Sequence, residues 1–154
     1  MKTSGSGIAL LRGFEGVRHT AYKDQAGRWT TGAGHLIKLP AEQNLLAATL
    51  TDAEIDALLA RDAGVAEASV SQQVKVPLTQ NRFDALVSLV YNIGDGAFAS
   101  STVLQKINGG APEAEVRAAW AMWDKVTDPA TKQHKVSDDL VKRRKAEADL
   151  YFGG

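Results

Sequence analysis

The stretch that decides the fold is TAYKDQAGRWTTGAGH, residues 20–35. Its aromatic and threonine residues favour β-strands, and its glycines and aspartate interrupt them. We expect short antiparallel strands here, joined by a turn over Gln25-Ala26-Gly27. No other part of the chain is rich in strand formers, so the predicted sheet is small and the rest is expected to be helical.

Helical signals lie on both sides of this stretch. Apolar residues at helical spacing over residues 8–14 predict a first helix that ends near Glu15. Residues 51–54, TDAE, have the form of a capping box and predict a long helix running to about Gln72.

The second half of the chain is predicted to be a set of helices. Thr79 can cap a core helix whose apolar side chains share one face: Phe83, Leu86, Val87, Val90 and Tyr91. Shorter helices are expected around residues 102–107 and 112–123, followed by a polar loop with Pro129. Ser137 is expected to cap a last helix that runs to about Tyr151.

This order of elements predicts an α+β fold with segregated parts. We expect one domain over residues 1–154, with a sheet lobe at about 16–50 joined by the long helix to a helical lobe. The helical lobe would take in about 75–154 together with the N-terminal helix. Such a division leaves a groove between the lobes, where ligands usually bind.

Composition excludes several classes of protein. The absence of cysteine rules out disulfides and thiolate metal sites. Three histidines without paired ligand spacing argue against a metal, and we expect no cofactor. No segment reaches the ~20 apolar residues of a membrane span, and the apolar run over residues 8–11 is too short for a signal peptide.

Charge is balanced overall but is uneven along the chain. Lys+Arg and Asp+Glu number 18 each. Near the C-terminus, residues 132–145 carry six bases against Asp138 and Asp139: Lys132, Lys135, Lys142, Arg143, Arg144 and Lys145. This basic segment could meet a polyanion such as peptidoglycan or nucleic acid, or it could be an ordinary solvated helix face.

Two carboxylates near the strand-rich stretch suggest glycoside hydrolysis. That reaction needs a protonated acid on one side of the bond and, on the other, a carboxylate that activates water or acts as nucleophile. Glu15 follows Phe14 at a helix end, where partial burial would favour its acid form. Asp24 lies in the turn region, and the Thr30 hydroxyl could hold a water near it. Spacing alone leaves open a surface role for Glu15 and a turn role for Asp24.

Several short blocks of sequence follow one another in a characteristic order and spacing. They are FEGVR at residues 14–18, AYKD at 21–24, GRWTTGAGH at 27–35, LTQNRFDAL at 78–86, YNIG at 91–94 and the Arg143-Arg144…Glu147 stretch. Together they resemble the phage-type lysozymes, glycoside hydrolase family 24, over residues 7–152. The resemblance implies a lysozyme-like fold. The chain departs from the family's pattern at residues 124–139, where the link is longer and more polar.

The resemblance also implies a set of catalytic roles. Glu15 would be the general acid, Asp24 the second carboxylate and Thr30 the hydroxyl that positions water. Family members are associated with inversion of configuration, which requires carboxyl groups about 6.5–9.5 Å apart.

Four further positions are candidates for substrate binding. Gly32 could let the backbone approach a sugar, or could serve strand geometry alone. His35 could contact substrate, or could be a hydrogen-bonded structural histidine. Tyr91 and Asn92 are expected to face the groove, where Asn92 could bind an acetamido group.

The predicted function is hydrolysis of the β-1,4 bond between N-acetylmuramic acid and N-acetylglucosamine in peptidoglycan. The alternatives are a lytic transglycosylase, which has no use for a water-activating carboxylate, and a non-catalytic peptidoglycan-binding module. Nucleic-acid binding would rest only on the cluster Lys142–Lys145, and we expect none.

The resemblance implies the biological setting of an endolysin. We expect a monomer without stable membrane insertion that stays in the host cytoplasm until a separate holin-like protein opens the route to the wall. Delivery as a secreted effector is the alternative, because sequence does not show the route.

Overall fold

The computed structural model describes residues 1–153. Contacts divide the chain into two compact units, one over residues 4–64 and the other over residues 1–3 together with residues from 65 onward. A small antiparallel sheet lies in the first unit and most of the helices lie in the second, which confirms the α+β prediction. In this division the N-terminal helix groups with the sheet; the predicted lobe boundaries stay a prediction.

The first unit contains two helices, three strands and one short 3-10 helix among its described residues. They are α1 (Gly5–Glu15), β1 (Arg18–Lys23), β2 (Trp29–Gly32), β3 (His35–Leu36), the 3-10 helix (Gln43–Leu46) and α2 (Asp52–Asp62). The strands form an antiparallel sheet in the order β1-β2-β3, with Tyr22 paired to Thr30 and Thr30 paired to Leu36.

Helix α1 begins and ends at clear capping residues. The Ser4 hydroxyl accepts a hydrogen bond from the Gly7 N–H at the N-terminus. At the other end Gly16 adopts φ +73°, and its N–H donates to the Arg12 carbonyl. Glycine adopts this conformation without steric cost, so the helix stops at Glu15, as predicted from the sequence.

The predicted turn after β1 is confirmed. The Asp24 N–H donates to the Arg28 carbonyl at 2.9 Å, and the Gly27 N–H donates to the Asp24 carbonyl at 2.9 Å. Gly27 has φ +77°. The turn therefore fixes the positions of Asp24 and Arg28 relative to each other.

The single long helix predicted from residue 51 to about residue 72 is wrong. The capping box at Thr51 is present, but the helix ends as α2 at Asp62, and a second helix, α3 (Gly64–Gln73), follows. The Ala63 N–H still bonds to the Leu59 carbonyl. The break is at Ala63, next to Gly64, whose low helix propensity weakens the helix at this point.

The second unit is built around a buried helix. Its elements are α3 (Gly64–Gln73), α4 (Gln80–Ile93), α5 (Asp95–Ala99), α6 (Thr102–Asn108), α7 (Glu113–Ala121), β4 (Lys125–Thr127), β5 (His134–Val136) and α8 (Asp138–Gly153). Thr79 caps α4, and every residue from 83 to 90 is buried, which confirms α4 as the core helix. Among the described helices, none is long and apolar enough to cross a membrane.

The prediction that strands are confined to the N-terminal region is also wrong. The polar loop contains a hairpin, in which Lys125 pairs with Val136 and Thr127 pairs with His134. Its strands are three residues long and all their residues are exposed, so they lack the alternating apolar pattern that predicts a strand with one buried face. Helix α5 was likewise not predicted.

A buried ionic group joins α8 to the core of the second unit. Glu147 is fully buried, and its Oε1 lies 2.7 Å from Arg144 Nη2. Arg143, also buried, donates from Nη2 to the Ser88 carbonyl of α4 at 3.1 Å. Burial raises the pKa of Glu147 to about 7, while the charges of Arg144 and Arg143 act in the opposite direction.

Removing the buried carboxylate should destabilise the fold strongly. At pH 8, Glu147→Gln should lower the free energy of unfolding by about 3 kcal/mol, because it leaves buried guanidinium charge without a carboxylate. The matched control is Glu113→Gln, which removes an exposed ion pair with Arg117 and should cost less than about 0.5 kcal/mol. Urea unfolding of both variants measures the difference, and equal losses would contradict the assignment.

Candidate active site

Glu15 is the last residue of α1, and its side chain is half-buried. Its carboxyl group lies beside the backbone of the turn between β2 and β3: a Cβ atom added at Gly34 would lie 3.6 Å from Glu15 Oε2. No side chain therefore separates the Gly34 backbone from the Glu15 carboxyl. Gly34 has φ +80°, so a side chain there would also strain the backbone.

The turn that carries Gly34 spans three residues. Thr31 pairs with His35 on either side of it, which closes the turn over residues 32–34. Gly32 has φ +64°, and a Cβ there would meet the Ile55 side chain of α2 at 3.6 Å. The contacts of Gly32 thus support its role in strand geometry; its predicted contact with substrate stays a prediction.

The Asp24 carboxylate is held by the turn that follows β1. Oδ1 accepts from the Ala26 and Arg28 N–H groups, each at 2.9 Å, and Oδ2 accepts from Arg28 Nε at 3.0 Å. These bonds lower the pKa of Asp24, the Arg28 N–H most strongly, although partial burial acts the other way. Asp24 is therefore a carboxylate that stays ionised well into the acidic range.

Thr30 lies on the central strand and is 3% exposed. Its hydroxyl donates to the Arg28 carbonyl at 3.0 Å. Since the Asp24 carboxylate binds the N–H and side chain of the same residue, Thr30 and Asp24 are both fixed by Arg28. The sheet brings these two predicted residues to one turn.

His35 is also buried, with 3% of its surface exposed. Its Nδ1 lies 2.7 Å from Asp62 Oδ2 at the end of α2, and its Nε2 lies 3.0 Å from Glu42 Oε1. Both ring nitrogens are thus engaged by carboxylates. These contacts support the structural alternative for His35, and a direct contact with substrate stays a prediction.

Tyr91 and Asn92 lie near the end of α4, in the second unit. Tyr91 is half-buried and Asn92 is exposed. Asn92 lines a cavity of about 500 Å³ together with Trp123 and the hairpin residues Thr127 and His134. This arrangement offers an amide and an aromatic ring beside open space, and the predicted substrate contacts stay predictions.

Sequence reasoning missed three residues that hold the site together. Arg28 binds both Asp24 and Thr30, while Glu42 and Asp62 bind His35. Residue types and local spacing carry no signal for the two contacts of His35, because its partners lie seven and 27 residues away. Within residues 1–153 no group of three or more acidic or histidine side chains could hold a metal ion.

Comparison with known proteins identifies the family. The phage lysozyme family model matches residues 12–147. The chain is 38% identical over 151 residues to the endolysin of Acyrthosiphon pisum secondary endosymbiont phage 1, with 98% of each chain covered.

Solved structures agree with this match. The endolysin from Escherichia coli O157:H7 phage FAHEc1 gives a TM-score of 0.88 at 36% identity, covering 99% of this chain and 94% of that one. The muramidase domain of SpmX from Asticaccaulis excentricus gives a TM-score of 0.86 at 36% identity, covering 98% of this chain and 97% of that one. The lysozyme-like fold is thereby confirmed, and the chain belongs to the phage lysozyme family, as a glycosidase that hydrolyses peptidoglycan.

Proposed function

We propose that Glu15 is the general acid, Asp24 the general base and Thr30 the water-positioning residue of an inverting muramidase. The bond cleaved is the β-1,4 bond between N-acetylmuramic acid and N-acetylglucosamine. The observation that carries the proposal is the shared anchoring of Asp24 and Thr30 on Arg28, in the same unit as Glu15.

The Asp24 carboxylate retains room for a water molecule. A carboxylate has about four acceptor positions, and three of them are used: two on Oδ1 and one on Oδ2. The remaining position, on Oδ2, can accept a hydrogen bond from water. The lowered pKa of Asp24 keeps its carboxylate ionised and able to accept a proton, although it also makes the carboxylate a weaker base.

The Thr30 hydroxyl can orient the same water. Its single hydrogen is given to the Arg28 carbonyl, so its oxygen is available only as an acceptor. A water that donates one hydrogen to Thr30 Oγ1 and the other to Asp24 Oδ2 has a lone pair left for attack on the anomeric carbon.

The chemical step moves one proton from Glu15 to the substrate and one proton from water to Asp24. Glu15 gives its proton to the glycosidic oxygen as the bond from that oxygen to the anomeric carbon breaks. The water oxygen forms the new bond to that carbon from the opposite face and loses a proton to Asp24. Exchange with solvent restores both carboxyl groups to their starting states.

Asp24 also separates hydrolysis from the transglycosylase alternative. A transglycosylase forms an anhydro sugar without water. Its reaction therefore does not need a carboxylate and a hydroxyl that activate water, the roles proposed for Asp24 and Thr30. The contacts of Asp24 and Thr30 support the hydrolase.

The proposal also covers the oligomeric state of the enzyme and its route to the cell wall. We expect the protein to act as a monomer on glycan strands, with Asn92 and Tyr91 contacting substrate. It would remain in the host cytoplasm until a holin-like protein permeabilises the membrane.

Loss of the acid should abolish turnover without loss of fold. Glu15→Gln should lower kcat on purified peptidoglycan by about a thousandfold, because the amide cannot donate the proton that the leaving oxygen needs. Circular dichroism checks the fold, and Glu113→Gln, which changes an exposed side chain of α7 in the other unit, is the control. A folded Glu15→Gln enzyme with normal turnover would refute the role of Glu15.

Removing the Arg28 side chain should move the acidic limit of activity upward. Arg28→Ala deletes the guanidinium charge and the Nε bond, while the residue-28 N–H, the largest cause of the lowered pKa, remains. The pKa of Asp24 should therefore rise towards its ordinary value without reaching it. Because the reaction needs ionised Asp24, activity is present above this pKa and is lost as the pH falls through it.

The pH dependence of kcat measures this shift. For Arg28→Ala the acidic limb should lie at higher pH than in the wild type. Lys38→Ala removes a cation that is not bonded to Asp24 and should leave the limb in place. An acidic limb that does not move in Arg28→Ala would argue that Asp24 does not control it.

A further inference from the structure

The His35 ring links three separate segments of the first unit. It belongs to β3, Asp62 ends α2, and Glu42 lies in the turn before the 3-10 helix. One carboxylate would suffice to bond a buried imidazole. The second fixes the ring from the opposite side, since rotation of the ring would break both contacts.

Glu42 is itself held at both oxygens. Oε1 accepts from the Lys38 N–H at 2.9 Å as well as from His35, and Oε2 accepts from Arg61 Nη2 at 2.9 Å. The Lys38 N–H is the main cause of a Glu42 pKa of about 2, with His35 and Arg61 contributing. Glu42 is thus a fixed negative charge in the range where the enzyme would work.

The backbone connects this ring to the proposed acid. His35 directly follows Gly34, and its pairing with Thr31 closes the turn over residues 32–34. The Gly34 backbone lies against the Glu15 carboxyl, where an added Cβ would be 3.6 Å from Oε2. The position of the turn relative to Glu15 therefore depends on how firmly His35 is held.

We propose that Glu42 is a positioning residue for catalysis: by bracing His35, it holds the turn over residues 32–34 against the carboxyl group of Glu15. This inference rests on the proposed role of Glu15 as general acid. Asp62 supplies the opposing contact from the end of α2, and Arg61 steadies Glu42 from outside.

The expected consequence is a loss in kcat rather than in substrate affinity. A misplacement of about 1 Å at a reacting group can reduce the rate about a hundredfold. The Glu42 side chain is mostly buried and faces His35, so its loss should displace Glu15 without removing a group that is proposed to contact the sugar.

Three variants separate positioning from general stability. Glu42→Ala removes the brace on His35. Glu42→Gln keeps an oxygen in the place of Oε1 for both His35 and Lys38, and loses the carboxylate charge together with the Oε2 acceptor of Arg61. Arg61→Ala removes that outer contact alone, from a side chain that is 61% exposed.

The measurements are kcat and KM on soluble uncrosslinked glycan strands, with the melting temperature of each variant. Glu42→Ala should lose at least about tenfold in kcat while KM changes less than about twofold. Glu42→Gln and Arg61→Ala should stay within about threefold of the wild-type kcat. Recovery in Glu42→Gln is a result that a purely electrostatic role would not give, and a kcat that does not follow the melting temperature excludes a purely stabilising role.

Other outcomes overturn the inference. It fails if folded Glu42→Ala keeps the wild-type kcat, if only KM changes, or if kcat follows the melting temperature across all three variants.

If Glu42→Ala does not fold, Gly34→Ala replaces it. The added Cβ beside the Glu15 carboxyl should lower kcat while the His35 contacts stay intact, and normal turnover overturns the inference. A fully active Glu15→Gln would refute the proposed function instead, so the two failures are distinguishable.

Discussion

The peptide backbone at Gly34 lies against the Glu15 carboxyl group with no side chain between them. This close approach needs several independent features of the chain. Gly16 ends α1, so that Glu15 is the last residue of the helix. Gly32 and Gly34, the first and last residues of the turn, adopt positive φ. His35 then holds the end of the turn through its two carboxylate contacts. Substitution at any of these positions would change the surroundings of the proposed acid.

The second carboxylate, Asp24, is held by a different kind of contact. Asp24 is fixed by hydrogen bonds within its own turn, and Arg28 serves as the common partner of Asp24 and Thr30. The bonds that make Asp24 a good turn residue also keep it ionised, because they stabilise the charged form. Turn formation and a base role are therefore compatible uses of the same residue. The Glu15 carboxyl group lies beside the Gly34 backbone, whereas the Asp24 carboxylate accepts three hydrogen bonds, and such a difference in surroundings can divide acid and base roles.

Local signals in the sequence predicted the local structure well. The end of α1 at Glu15, the turn over residues 25–27 and the core helix α4 all follow from caps, glycines and apolar spacing. The break at Ala63 was missed because one glycine weakens a helix without forbidding it. The exposed hairpin was missed because it has no buried face. For the site, residue types and family blocks indicated Glu15, Asp24 and Thr30, whereas Glu42 and Asp62 became visible only once long-range contacts were known.

We propose that a water held by Asp24 and Thr30 attacks the anomeric carbon while Glu15 protonates the glycosidic oxygen. The most direct test is mass spectrometry of the muropeptides that the enzyme releases from purified peptidoglycan. We expect products with a free reducing end, each heavier by one water than the corresponding anhydro form, and no products from Glu15→Gln. Release of anhydro-muropeptides by the wild type would contradict it, because that product forms without the water that Asp24 and Thr30 are proposed to hold.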